Sequence, residues 1–161
     1  HSTLVKIDAH DGGREELLLA IVLNHPHVLD DDLESFATIT FNNRQLDKLR
    51  NQILSTIESD LDLDRDTLLN HVKEQGLALI VERLLGSAVV KTNRFTAPEA
   101  DQSAVKNGWE DLIRRMSSIE MLHNDFLAAQ EAYAKSETEE NWARIVALKV
   151  QIQKLEQYQD Q

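Results

Sequence analysis

The sequence of 161 residues contains no cysteine. Disulfides, thiolate zinc sites and cysteine nucleophiles are therefore excluded, and the composition is compatible with a reducing cytosol. The longest apolar run covers only residues 17–23, whereas a membrane-spanning helix needs roughly 20 apolar residues. These absences predict a cytoplasmic protein without a membrane segment.

Glycine and proline are scarce as well, with 5 and 2 residues. Alternating runs of β-branched residues, which are typical of strands, are few. Leucine, glutamate, glutamine, alanine and lysine instead dominate several stretches with helical periodicity. We therefore expect an all-α fold.

Positive charge is the third scarcity, because 17 basic residues stand against 28 acidic ones and leave a net charge of −11. A chain of this sign repels phosphate backbones. Its aromatic residues also do not alternate with basic ones as they do on platforms that bind single strands. We expect no direct contact with nucleic acid.

Apolar periodicity predicts a bundle of helices in the first part of the chain. The first helix begins at Arg14 and ends at His25-Pro26, because the residue before a proline avoids helical dihedrals. Three further longer helices are expected, the second capped by Asn43, the third capped by Asp64 and stopped by a left-handed Gly76, and the fourth closed by Gly86. A short helix is expected near residues 28–36, between the first two.

Residues 87–102 break every period, which predicts a loop or a domain boundary. Beyond them a heptad seam indicates one long helix; its positions are Val105, Trp109, Leu112, Met116, Ile119, His123, Phe126, Gln130 and Tyr133. His123 is interpreted as a polar core residue that sets the register.

Ser136 and Glu139 have the spacing of a capping box, which predicts that a second helix starts after a very short turn. The returning helix presents Trp142, Ile145, Leu148, Ile152 and Leu155 to the outgoing one. Leu127, Val146 and Val150 lie off this seam, so they are candidates for packing on the bundle or on a partner's helices. The chain is predicted to end in a helical hairpin.

The predicted organisation has three parts. Residues 1–10 form a flexible start or tag remnant, residues 11–102 a helix bundle, and residues 103–161 a helical hairpin. The chain begins with His1-Ser2, which suggests a fragment of a larger protein.

Motifs for catalysis are missing. The six histidines have no metal-binding spacing, and the acidic run from Asp60 to Asp66 lacks the glycine and the closing glutamate of a calcium loop. No glycine-rich phosphate loop, nucleophile elbow or Ser/His/Asp arrangement occurs. We expect a non-enzymatic domain without catalytic, cofactor-binding or metal-binding residues.

Two segments resemble the C-terminal helicase-binding domain of bacterial DNA primases. They are REELLLAIVLNHPHVLDDDLESFATITFNNRQLDKLRNQIL, residues 14–54, and SETEENWARIVALKVQIQKLE, residues 136–156. The resemblance implies docking on the N-terminal domains of the hexameric replicative helicase, and modulation of helicase and priming activity in bacterial DNA replication. The zinc-binding and primer-synthesising parts would lie elsewhere in the parent enzyme.

Candidate partner contacts follow from hot-spot chemistry, in which aromatic and aliphatic side chains surround a basic group. They are Trp142, Ile145, Lys149, Ile152 and Leu155 in the hairpin, with Arg14, Asp30 and Glu34 as weaker candidates in the bundle. The hairpin residues fit packing between its two helices at least as well. By itself the domain is expected to be a monomer or weak dimer.

Two alternatives stay open. The N-terminal collar domain of the replicative helicase is similar in fold to this primase domain and would assemble with itself. The chain could also be another kind of helical protein-interaction module.

Overall fold

A computed structural model describes residues 13–59 and 62–159, with side chains as far as residue 156. These residues are almost entirely helical and include no strand, which confirms the predicted all-α class. They divide into two compact units, Gly13–Ile113 (the first unit) and residues 114–159 (the second unit). The predicted flexible start or tag remnant at residues 1–10 lies outside the described residues.

The first unit contains six α-helices and the first turns of a seventh. They are α1 (Arg14–Asn24), α2 (Leu33–Thr38), α3 (Arg44–Ser59), α4 (Arg65–Val72), α5 (Ala78–Leu85), α6 (Ala88–Thr92) and the start of α7 (Gln102–Lys135). Short 3₁₀ turns at Pro26–Asp30 and Arg94–Thr96 and a π-type turn at Lys73–Leu77 complete the unit.

Helix α1 lies at the centre of the first unit. Its residues are buried on every side, and an all-round apolar helix is stable only inside a core. Gly13 enters the helix at a φ of 74°, and a Cβ there would lie 2.6 Å from Val89 Cγ2. The backbone at this entry is therefore packed directly against α6.

Local capping chemistry sets the ends of α3 and α4 as the sequence predicts. The Asn43 side chain accepts hydrogen bonds from the amides of Gln45 and Leu46, at 3.0 and 3.1 Å. Asp64 accepts from the Thr67 amide at 2.8 Å. Gly76 has a φ of 87° and separates α4 from α5. These three predictions are confirmed.

The prediction for residues 87–102 is only partly right, because this segment holds a short helix and a 3₁₀ turn packed into the first unit. The Thr96 side chain is buried, and its hydroxyl donates to the Val90 carbonyl at 3.2 Å. Asn24 donates to the Thr96 carbonyl, and a His25 ring nitrogen contacts the Ala97 carbonyl, both at 2.8 Å. Residues 87–102 have no helical periodicity because polar contacts to the end of α1, and not an apolar stripe, hold this segment in place.

The first part of the predicted heptad seam belongs to the first unit. The Trp109 indole N–H donates to Asp32 at 2.9 Å, and its ring lies 6.0 Å from that of Phe36. Val105 and Trp109 are both buried. These residues therefore pack on the region of α2 and do not extend the seam that was assigned to the hairpin.

The second unit consists of the rest of α7 and of α8 (Glu139–Gln159). The Tyr133 and Trp142 rings lie 5.5 Å apart near the turn, and His123 Nε2 lies 3.7 Å from Glu156 Oε2 further along. This order of contacts is that of two antiparallel helices. The helix α7 is unbroken through Asn124 and Asp125.

Two details of the seam differ from the prediction. Ala129 is buried where Gln130 was expected, and Gln130 is exposed. His123, predicted as a polar core residue, is about half exposed (51%) at the edge. An α-helix with 3.6 residues per turn drifts against a strict heptad, so over several turns the buried position moves by one residue.

The turn between α7 and α8 is capped by a different residue from the predicted Ser136. The Thr138 hydroxyl accepts from the Asn141 amide at 3.1 Å, and the Asn141 side chain donates to the Ser136 carbonyl at 2.7 Å. Helix α8 therefore begins at Glu139, one residue after its cap, and the capping box of Ser136 with Glu139 is wrong.

Candidate functional site

An exposed apolar stripe runs along α8 of the second unit. Trp142, Val146 and Val150 (the outer stripe) follow one another at intervals of four residues, which places them on one face of the helix. They are exposed by 54%, 45% and 42%. Contiguous exposed apolar side chains are often found at surfaces that contact other proteins.

Lys149 lies on the same face as the outer stripe, three residues after Val146 and seven after Trp142. Its side chain is exposed and makes no ion pair with the described side chains. A basic group beside an aromatic and two aliphatic side chains is a common composition of interaction hot spots. The stripe therefore combines apolar area with a cation, Lys149, that is unpaired among the described residues.

Trp142 is held in place although it is largely exposed. Its ring is tilted by 52° against the Tyr133 ring at a centroid distance of 5.5 Å, within the range that aromatic pairs favour. One side of the indole is thus supported by α7 while the other remains open. An aromatic side chain fixed before binding loses less conformational entropy when a partner covers it.

The opposite face of α8 packs within the second unit. Leu148 and Ile152 are buried, and Ile145 and Leu155 are half-buried. The five residues that the sequence predicts as partner contacts are therefore divided between two faces. Trp142 and Lys149 lie on the exposed face, while Ile145, Ile152 and Leu155 lie on the packed one.

The three weaker candidates in the first unit also differ from one another. Asp30 and Glu34 are exposed, and Asp30 lies 3.7 Å from His27. Arg14 is buried, with only 5% of its surface exposed at the start of α1. A partner could reach the two carboxylates, whereas Arg14 has almost no surface to offer.

The sequence predicts only that Val146 and Val150 lie off the seam, and it does not place them beside Trp142. The spacing of four residues between these three positions places them on one helix face. The heptad pattern, which alternates intervals of three and four, instead assigns Trp142 to the packed face. Leu127, the third off-seam residue, is 59% exposed on α7. The exposed face of α8 was therefore detectable but was not separated from the packed one.

The described residues offer no group of three or more potential metal ligands. Within the same ranges, no helix is both long enough and apolar enough to cross a bilayer. Compared with known protein families, with curated proteins and with solved structures, the chain gives no match.

Proposed function

We propose that this chain is the helicase-interaction domain of a bacterial DNA primase. In this proposal it docks primase on the N-terminal domains of the hexameric replicative helicase in the cytoplasm, and it modulates helicase and priming activity. The domain synthesises nothing by itself and needs no cofactor. The proposal rests on the two segments that resemble such domains, residues 14–54 and 136–156.

The observation that carries a docking role is the outer stripe on α8 with Lys149 beside it. Its side chains are large, apolar and exposed, so covering them would release apolar surface from water. The stripe lies in the terminal segment that carries the second half of the resemblance. A helix face of this kind suits docking against the helices of a partner.

The proposal is tested by calorimetric titration of the intact chain into the N-terminal domain of its cognate replicative helicase. We expect a saturable complex. Replacing the two valines together, Val146→Ser with Val150→Ser, should weaken it by at least about tenfold, which corresponds to about 1.4 kcal/mol. Both side chains point away from the packed face, so the fold should be retained, and circular dichroism checks this.

Leu79→Ser is the matched control, because Leu79 is an exposed apolar residue of the first unit, 66% accessible on α5. It should leave the affinity within about twofold. If both changes weakened binding equally, the outer stripe would not be part of the interface. If the intact chain does not bind the helicase domain at all, the proposal is wrong.

The same stripe also fits a second copy of this chain, as the alternative of a self-assembling helicase collar requires. Light scattering distinguishes the primase-type hypothesis from the collar hypothesis, since a collar module would form a ring or a stable dimer. A monomer or a weak dimer agrees with the primase-type proposal. A stable oligomer that the valine substitutions dissociate would favour the collar.

A further inference from the structure

A cleft of about 670 Å³ opens in the first unit, where the end of α1 and the start of α4 face residues 90–100. This volume lies within the range of roughly 300–1,000 Å³ that small-molecule sites occupy. The cleft lies in the first unit and shares no residue with the outer stripe, which lies in the second.

The lining of the cleft is cationic although the whole chain is acidic. Arg65, Lys91 and Arg94 line it together with a single carboxylate, Glu99. The chain as a whole carries a net charge of −11, so three cations around one cleft run against its general composition. Such a local field attracts anions.

Arg65 is oriented toward the cleft by a buried amide. Asn24, with 7% of its surface exposed, donates to the Thr96 carbonyl at 2.8 Å and accepts from Arg65 Nε at 2.9 Å. The first bond fixes the amide, and the second fixes one edge of the guanidinium. At its outer edge, Arg65 Nη1 donates a hydrogen bond to the exposed Asp66 carboxylate at 3.3 Å and forms an ion pair with it. The remaining N–H groups of this edge make no hydrogen bond with the described residues.

Lys91 and Arg94 project from α6 and the 3₁₀ turn that follows it. Their side chains have no hydrogen-bond or ion-pair partner among the described residues. The backbone that carries them is held by the Thr96 hydroxyl, whose single hydrogen is shared between the carbonyls of Val90 and Asn93, at 3.2 and 2.9 Å. The three cations that line this cleft repel one another, and a bound anion would relieve that repulsion.

The remaining lining includes apolar side chains, among them Leu85, Val90 and Pro98. An inorganic anion would leave this apolar surface uncovered and most of the volume unused. A ligand that fills the cleft therefore has an organic body beside its charged group.

We propose that this cleft binds a small organic molecule that carries a phosphate group, of about the size of a nucleoside monophosphate. The phosphate lies among Arg65, Lys91 and Arg94, and the organic body lies over Leu85 and Pro98. A phosphate carries nearly two charges and three acceptor oxygens, which match three cations better than the single charge of a carboxylate. Arginine in particular binds phosphate through two parallel hydrogen bonds.

The test is an NMR titration of the intact chain that follows the side-chain N–H signals of Asn24 and Arg65. Adenosine monophosphate, inorganic phosphate and adenosine are added separately at constant ionic strength. We expect saturable shifts with both phosphate probes, at least about tenfold tighter for the nucleotide, and none with adenosine. Shifts that rise linearly without saturation, or none with either phosphate probe, overturn the proposal.

Two double variants locate the site. Lys91→Gln with Arg94→Gln should weaken binding of the nucleotide at least about tenfold. Lys73→Gln with Arg83→Gln removes the same charge from exposed positions of the same unit that do not line the cleft, and it should change the affinity less than twofold. If both pairs weakened nucleotide binding equally, the effect would come from the change in net charge and not from the cleft. If an aspartate-rich tetrapeptide bound more tightly than either phosphate probe, the proposal of a phosphate ligand would be wrong and an acidic peptide would be the better ligand.

Discussion

Arg50 is a buried cation that closes the end of a neighbouring helix. Its guanidinium donates to the carbonyls of Phe36 and Ile39 at 3.0 and 2.6 Å, pairs with Asp47 at 2.6 Å, and lies 4.7 Å above the Phe41 ring. The last carbonyls of α2 have no partner within their own helix. One side chain of α3 therefore satisfies groups that would otherwise be buried without hydrogen bonds.

We expect Arg50→Met to lower the free energy of unfolding by about 2 to 3 kcal/mol, because two buried carbonyls lose their donor while the apolar stem is kept. Urea denaturation followed by circular dichroism measures this. Arg44→Met, at an exposed position of the same helix, should stay within about 0.5 kcal/mol of the parent. Similar losses in the two variants would contradict the role given to Arg50.

The stability of the first turn of α4 depends on pH through the Asp64 cap. The backbone amide of Thr67, and then its hydroxyl, donate to the carboxylate and hold the pKa of Asp64 below its ordinary value. A depressed pKa adds stability above the pKa of the unfolded chain, about 4 for an aspartate, and this stability is lost as the pH falls through the lower folded value. The cap therefore weakens only in acid.

Asp64→Asn keeps an acceptor at the cap but cannot be protonated in this range. We expect it to resemble the parent at neutral pH and to lose less stability than the parent as the pH falls below about 4. Denaturation series at several pH values give the comparison. Glu74→Gln, at an exposed carboxylate in the turn after α4, should follow the parent curve. A parallel curve for Asp64→Asn would exclude the cap as a source of pH dependence.

At the scale of elements, the first turns of α7 are shaped by a close approach to the 3₁₀ turn at Arg94–Thr96. A Cβ at Gly108 would overlap the Phe95 ring and come within 2.9 Å even of its Cγ. The helix can lie against this ring only because residue 108 has no side chain. Glycine usually destabilises a helix interior relative to alanine by up to about 1 kcal/mol, so close packing here outweighs helix propensity.

Gly108→Ala should therefore lower the free energy of unfolding by about 1 kcal/mol, because the overpacking cost exceeds the gain in propensity. Thermal unfolding provides the measurement. In a Phe95→Leu background the same alanine should be neutral or stabilising, since the ring atoms are gone. If Gly108→Ala stabilises the parent chain, the contact with Phe95 does not constrain the helix.

The elements also show where sequence reasoning reached its limit. The caps at Asn43 and Asp64 were predictable because each cap acts within three residues of itself. The sequence predicts a continuous heptad seam, yet Trp109 contacts Asp32 and Phe36, more than 70 residues away. A helical period specifies which face of α7 is apolar, and it contains no information about which element covers that face.

At the scale of the whole molecule, the dominant property is the excess of acidic side chains. The net charge of −11 opposes the approach of a nucleic-acid backbone, because such binding is driven largely by cationic side chains that displace the counterions condensed on the phosphates. The cleft of the first unit does not change this balance, because its three cations are already included in the net charge of −11.

We expect no binding of a fluorescent single-stranded oligonucleotide at about 0.15 M salt, measured by anisotropy at protein concentrations up to about 0.1 mM, where nonspecific binders normally associate. The N-terminal domain of the replicative helicase, which is the proposed partner, is titrated in the same buffer for comparison. Saturable binding that weakens steeply with added salt would contradict the expectation.

The amino-acid sequence by itself determined the helical class, the caps at Asn43 and Asp64, the break at Gly76 and the acidic composition, because composition, capping and period act over a few residues. Tertiary structure decided that residues 87–102 are packed, that Arg14 is buried, and that Trp142 shares an exposed face with Val146 and Val150. It also brought Arg65, Lys91 and Arg94 to one cleft. These outcomes depend on contacts between residues far apart in the chain, and local patterns do not encode them.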